Sequence, residues 1–228
     1  MRKPLHVAAC MPRRGQTPAD MTGVLHNPYS MKEIDREIFL LINATNEAND
    51  VLTILACFAA KYLILAVPFG ITLLWIAGKN NEKKTSLSLL TAVAIAVLSS
   101  WIIGLLFPVE RPFLEPIGHN LLAHRPSPSF PSNHGLVMFT CAWSLLLMSY
   151  KWQAALTAVS GLLVAWSRIY LGIHWPSDMM GALLIAYLAA LAARLIDHFA
   201  GKKILSAALW MYETFLLKPL SNIGRRLM

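Results

Sequence analysis

Two arginines, two histidines, a serine and an aspartate carry most of the chemistry in this chain. Arg111 lies in a long connection (108–134), which ends in Pro131-Ser132-Asn133-His134. A second, shorter connection (172–178) follows Ser167-Arg168 and holds His174-Trp175-Pro176-Ser177-Asp178. Guanidinium groups present planar forks that match phosphate oxygens. Ser132 and Asn133 are good N-cap residues, and the free backbone N–H groups of a helix start attract anions. If a helix begins near His174, Asp178 lies one turn on and can take the proton-bearing ring nitrogen. That fixes the tautomer and leaves the other nitrogen nucleophilic. His134, on a different segment, can protonate a leaving oxygen and later activate water. The set therefore reads as phosphoryl transfer through a phosphohistidine, driven by positioning and electrostatics.

A metal site built from His174, Asp178 and His134 is the competing reading, since imidazole and carboxylate one turn apart bind zinc or iron. Two neighbouring arginines weigh against it, because they repel a divalent cation.

Apolar segments must bring these residues together. About 20 apolar residues cross a bilayer, and five stretches approach or reach that length: 52–77, 87–107, 135–150, 153–171 and 179–196. The third is short and needs help from its flanks or a thin membrane. All five are expected to be helices, because chain exposed to lipid must satisfy its own backbone hydrogen bonds. The expected fold is all-α, a polytopic membrane bundle of about five spans with interfacial helices at 32–42 and 203–217.

Composition agrees. The chain has 228 residues, 56% hydrophobic and 14% charged, against about 25% charged in an ordinary soluble domain. A soluble enzyme, a coiled coil and a low-complexity chain are excluded. Three cysteines, two of them (Cys57 and Cys141) inside apolar runs, do not make a disulfide scaffold. The net charge of +8 does not form one basic stripe among aromatics, so no nucleic-acid partner is expected. The basic residues flank the spans instead, as a topology signal does.

The 78–84 linker with Lys79, Lys83 and Lys84 is expected on the cytoplasmic side. The tail with Lys202, Lys203, Lys218, Arg225 and Arg226 is expected there too. That places 108–134 and 172–178, and so all six reactive residues, at the opposite face. The N-terminus conflicts with this count: residues 1–30 carry Arg2, Lys3, Arg13 and Arg14 against Asp20 alone. The expected division is therefore an extension over 1–30, outside a working protein that begins near Met31. A membrane catalytic domain over 31–200 and a cytoplasmic amphipathic tail over 201–228 complete it.

The motifs resemble a known family. Ser167-Arg168, five residues, His174, three residues, Asp178 matches in full the third signature of the type 2 phosphatidic acid phosphatase superfamily. Pro131-Ser132-Asn133-His134 is similar to its second signature, with Asn for Gly, and Arg111-Pro112 to the end of its first. Within the superfamily the chain looks most like bacterial undecaprenyl-diphosphate phosphatases of the bacitracin-resistance type. The resemblance implies His174 as nucleophile, His134 as general acid, Asp178 as orienter, and Arg111, Ser132, Asn133 and Arg168 as phosphate ligands. It implies no metal and no cofactor. It also implies a polyprenyl diphosphate substrate among membrane lipids, an extracytoplasmic site in a bacterial inner membrane, and recycling of a carrier lipid for envelope polysaccharide synthesis. Two rivals stand beside this reading: a phosphatase of phosphatidic acid, phosphatidylglycerol phosphate or another lipid phosphate, and an anion or lipid transporter.

Two positions depart from the family pattern. The lysine of the first signature falls at Gly104, and Asn133 adds a side chain able to reach a second phosphate. Lys61, inside the first span where a charge is costly, is one candidate for the lysine's contact; Arg125 and a loop histidine, His124, are the others.

Overall fold

A computed structural model describes residues 31–45 and 47–218. The 1–30 extension and the tail arginines Arg225 and Arg226 lie outside the described residues. Among the described residues all regular structure is helical: α1 (Met31–Ile42), α2 (Asp50–Tyr62), α3 (Ala66–Ala77), α4 (Asn80–Leu106), α5 (Asn133–Leu147), α6 (Lys151–Tyr170) and α7 (Pro176–Tyr212).

The first expected span is one helical path in two pieces. Asn49 caps α2, its side chain accepting from Val51 N–H and Leu52 N–H. A 3-10 turn at Leu63–Leu65 joins α2 to α3. Pro68 explains the join: it has no N–H to offer the carbonyl four residues back, and its ring crowds that carbonyl, which belongs to Ile64.

Among the described residues three helical stretches are long and apolar enough to cross a membrane, 50–77, 80–106 and 176–216. The other two expected spans are also helices. α5 is apolar but only 15 residues long, about 22 Å at 1.5 Å per residue. α6 has 20 residues and spends several of them on Gln153, Thr157, Ser160 and Arg168.

Three boundaries differ from the sequence expectation. The basic linker at 78–84 shrinks to Gly78 and Lys79, because Lys83 and Lys84 join the first turns of α4. The helix expected to begin near His174 begins at Pro176, since proline suits the first helical position. The interfacial helix expected at 203–217 is not a separate element. α7 runs unbroken to Tyr212 and ends in a π-helical turn, Glu213–Leu217, because no proline interrupts it there. Its 37 residues reach about 55 Å, well beyond the hydrocarbon thickness of about 30 Å.

α5 is the central helix, packed against α4, α6 and α7. α4 packs on α7, and both helices bury small residues: Ala92, Ala96 and Ser100 on α4, and Ala182, Ala186, Ala189 and Ala193 on α7. Small side chains let helices approach closely where lipid supplies no hydrophobic push. Outward positions such as Trp101, Leu105, Leu156, Leu162, Leu184 and Leu188 are exposed and apolar, the inverse of a soluble bundle.

The ends of the bundle differ in chemistry. One holds Lys83 over the rings of Trp75 and Tyr212, and a Lys84–Asp197 ion pair at 3.1 Å. The other gathers the start of α5, the end of α6, the start of α7 and the 107–132 connection. There α1, amphipathic as expected, sinks Phe39 completely into the main core beside Trp175 while Ile34, Ile38 and Leu41 stay exposed.

Candidate active site

The 171–175 turn places His174. Gly172 permits it, with φ +77 and with the carbonyl of His119 only 2.2 Å from where a Cβ would stand. His174 is 2% exposed, so every ring contact must come from protein. Nδ1 lies 2.9 Å from Asp178 Oδ2. The same oxygen accepts the Trp175 N–H at 2.9 Å. Asp178 sits at the third position of α7 and reaches back over the helix start. The histidine–aspartate contact therefore forms although His174 precedes the helix, and with Nδ1–H donating to Asp178 the lone pair belongs to Nε2.

A third donor to Asp178 Oδ2 was not singled out from the sequence. Ser129 is fully buried; its hydroxyl donates to Asp178 Oδ2, and its oxygen lies 3.3 Å from His174 Nδ1. The run Ser129-Phe130-Pro131-Ser132 was visible, but a loop serine carries no periodicity that announces its partner. Gly181 anchors this segment, because a Cβ there would stand 2.1 Å from the Phe130 ring.

Arg111 approaches His174 from the other side. Its Nη1 is 3.1 Å from His174 Nε2 and also donates to the Ile173 carbonyl. Nε donates to the Ser127 carbonyl at 2.8 Å, and Nη2 to Ser127 Oγ and the Pro128 carbonyl. Burial lowers the Arg111 guanidinium from its ordinary range, while the charge of Asp178 acts in the opposite sense. Burial above all, then the charges of Arg111, Arg168 and His124, hold His174 well below the usual imidazole range. The ring is thus neutral, with the lone pair on Nε2.

Arg168, 4% exposed at the end of α6, donates to the Ala60 carbonyl and to His124, both at 3.4 Å. Its Nε is buried with no partner. The His124 ring stands steeply inclined to the His174 ring, at 68°, with centroids 6.4 Å apart. Burial first, and then the three arginines around it, lower His124 against a hydrogen bond to the Arg125 carbonyl that raises it.

His134, in the first turn of α5, lies within Coulombic range of Arg168, His174, His124 and Arg111. Ser132 is the N-cap of that helix; its hydroxyl oxygen accepts from the Gly135 N–H, and its own N–H bonds the Asp178 carbonyl at 3.3 Å. Asn133 turns toward α4, where Ser100 donates to its Oδ1 at 2.7 Å.

The three candidates for the missing lysine separate. Lys61 is exposed and enters none of these hydrogen bonds; the Ala60 carbonyl before it is what reaches Arg168. Arg125 is exposed; its carbonyl accepts from His124, its charge acts on that ring, and its guanidinium enters none of these hydrogen bonds. His124 alone of the three brings its side chain to the site. Gly104 packs under the same loop, with Pro128 3.6 Å from its Cβ position.

This donor set suits an anion. Asp178 Oδ2 already serves three donors and His174 Nε2 faces a guanidinium, so the cationic groups would oppose a metal ion. Among the described residues no three His, Cys, Asp or Glu side chains form a metal-holding group.

Residues 85–202 match the model of the PAP2 superfamily. YbjG of Escherichia coli (strain K12) is 37% identical over 83% of this chain and 96% of its own. Undecaprenyl-diphosphatase BcrC of Bacillus subtilis (strain 168) is 31% identical over 66% of this chain and 77% of its own. Among solved structures, that of Aquifex aeolicus LpxE aligns with a TM-score of 0.56 at 26% identity, covering 69% of this chain and 92% of that one.

Proposed function

The chain belongs to the PAP2 superfamily, and from that membership we propose that it is a membrane-embedded undecaprenyl-diphosphatase, releasing the terminal phosphate of a polyprenyl diphosphate. The name carried by BcrC supports the substrate class. The observation that carries the chemistry is the His174 ring, bound through Nδ1 to Asp178 and turned through Nε2 toward Arg111.

Nε2 attacks the terminal phosphorus; the N–P bond forms as the P–O bond to the bridging oxygen breaks. His134 takes up a proton as the anionic headgroup enters and gives it to the departing lipid monophosphate. The ring, now cationic, is held through Nδ1–H by the Asp178 carboxylate. Water, deprotonated by His134, then attacks the phosphohistidine and releases inorganic phosphate with neutral His174. Arg168, with an unpartnered Nε, and Arg111 carry the charge spread over the phosphoryl oxygens. The unused backbone N–H groups at the start of α5 add to this.

The lipid tail lies against apolar surface at the site end, where Trp101, Leu105, Leu106 and Phe107 are exposed. Lys79, Lys83, Lys84, Lys151, Lys202 and Lys203 collect toward the other end, which supports a cytoplasmic assignment for that end. The site then opens on the extracytoplasmic face of a bacterial inner membrane, where it recycles the carrier lipid for envelope polysaccharides.

Phosphate release from undecaprenyl diphosphate by wild type and His174→Ala, in excess chelator, tests this. Turnover by wild type alone is expected. Faster turnover of phosphatidic acid or phosphatidylglycerol phosphate would reassign the substrate. Activity lost to chelation and restored by zinc or manganese would overturn the mechanism.

A further inference from the structure

α1 lies before the stretch matched by the family model, yet its inward face and Asn43, the residue just past its end, hold both flanks of the turn that carries His174. On the far flank, Asp35 grips the start of α7. Its Oδ1 accepts the Ser177 N–H at 2.8 Å and its Oδ2 accepts the Ser177 hydroxyl at 2.6 Å. α7 has need of this. Its first helical residue is a proline without an N–H, and its N-cap, Trp175, has no hydroxyl or carboxylate to cap with. The Ser177 N–H would otherwise be one of the orphan donors of a helix start. A carboxylate at that position also meets the positive end of the helix dipole.

One turn along α1, Phe39 packs on Trp175 with ring centroids 5.1 Å apart. Trp175 is pinned in turn by its indole N–H, which donates to the Glu110 carbonyl at 2.8 Å. On the near flank, Asn43 closes the bracket. Its Nδ2 donates to the carbonyls of Tyr170 and His119, both at 3.0 Å, and its Oδ1 accepts the His119 N–H at 2.6 Å. Ala44 N–H bonds the Tyr170 carbonyl at 3.0 Å as well. Between these two grips lie only residues 171–176, with His174 among them. Arg36 and Lys32 pair with Glu115 and fasten the same helix to the 107–132 connection.

We propose that α1 is a brace for the nucleophile's turn, and that Asp35 is a positioning residue that sets the direction of His174 Nε2 through Ser177 and the first turn of α7. Asp35 touches no reacting atom. It acts because Asp178, the next residue after Ser177, owes its place over His174 to that turn. A small misalignment of a nucleophile costs on the order of tenfold to a hundredfold in rate. The phosphate-holding side chains, Arg111 and Arg168, sit on other elements, so ground-state binding is spared.

The inference rests on the phosphohistidine reading, and the experiment separates the two. Asp35→Ala, Asp35→Asn and Ser177→Ala are compared with wild type in kcat per vanadate-binding site, in KM and in vanadate affinity. Counting sites removes any loss of folded protein. Asp35→Ala is expected to lower kcat per site and weaken vanadate binding together, each by about tenfold, with KM within twofold. Asp35→Asn keeps an acceptor for the Ser177 N–H and should recover most of both. Ser177→Ala, which removes only the hydroxyl, should fall between and serves where Asp35→Ala does not fold. Fewer sites with unchanged values per site would make Asp35 merely structural and overturn the proposal, as would values for Asp35→Ala within twofold of wild type. Absent wild-type turnover would overturn the proposed function instead, and vanadate affinity would still decide the brace.

Discussion

Arg111 Nη1 stands 3.1 Å from His174 Nε2, so the lone pair that would attack phosphorus is hydrogen-bonded to the group that would hold the phosphate. The guanidinium cannot retreat far: four further hydrogen bonds tie it to Ser127, Pro128 and Ile173. On the proposed mechanism an arriving phosphoryl group would slide between these two partners. The contact also requires the His174 ring to be neutral, because a protonated Nε2 would face a second cation across a hydrogen-bond distance.

That requirement has a sign. Burial and three neighbouring positive or protonatable groups hold His174 below the ordinary imidazole value of 6.5. The nucleophile is lost only when pH falls through this lowered value. The acid limb of kcat/KM, which reports the free enzyme, is expected below pH 6.5. The contribution of His174 to stability follows the same direction: in the window between 6.5 and the lowered value the unfolded chain binds its proton and the folded chain does not, so that contribution falls as pH falls. A kcat/KM profile and melting temperatures between pH 4 and 8 check both. An acid limb at or above 6.5 would contradict the buried neutral ring.

Ser129 makes a separate prediction. It supplies one of three hydrogen bonds to Asp178 Oδ2, while Asp178 Oδ1 is buried without a partner. Removing the hydroxyl leaves a buried carboxylate short of a donor, a loss of about 1–3 kcal/mol. Ser129→Ala is expected to lower kcat about tenfold or more with KM little changed, and Ser129→Thr to restore part of it. Steady-state kinetics on the two variants decide the matter; equal kcat in Ser129→Ala and wild type would remove Ser129 from the site.

Ser129 also shows where the sequence stops being informative. The helices were legible because apolar length is a one-dimensional property, and the Arg111, His134, Arg168, His174 and Asp178 set was legible because each sits at a helix end or in a connection. What a buried loop serine bonds to is a three-dimensional fact. The start of α7 shifted by two residues because Pro176 settles it through local backbone chemistry that hydropathy does not resolve. The bracket made by Asp35 and Asn43 was invisible, since α1 reads from its sequence only as an amphipathic helix.

Lys61 and His124 give the sharpest contrast between pattern and structure. A lysine inside an apolar span invites a functional reading, but rotation about the helix axis decides where it points, and here Lys61 is exposed while the Ala60 carbonyl faces Arg168. His124 had less to recommend it, a loop histidine beside Arg125. Yet its Nδ1–H donates to the Arg125 carbonyl at 3.0 Å, which leaves Nε2 as the acceptor for Arg168 Nη2. That contact holds one edge of a guanidinium whose Nε is otherwise unpartnered, so His124 sets how Arg168 presents itself to an anion. Lys61→Met is expected to leave kcat, KM and vanadate affinity within twofold of wild type. His124→Ala should raise KM and weaken vanadate binding by about threefold to tenfold, the scale of one ordinary hydrogen bond lost from a binding site. Measured side by side in the same detergent, a larger effect from Lys61→Met than from His124→Ala would reverse the assignment and return the lysine's contact to the first span.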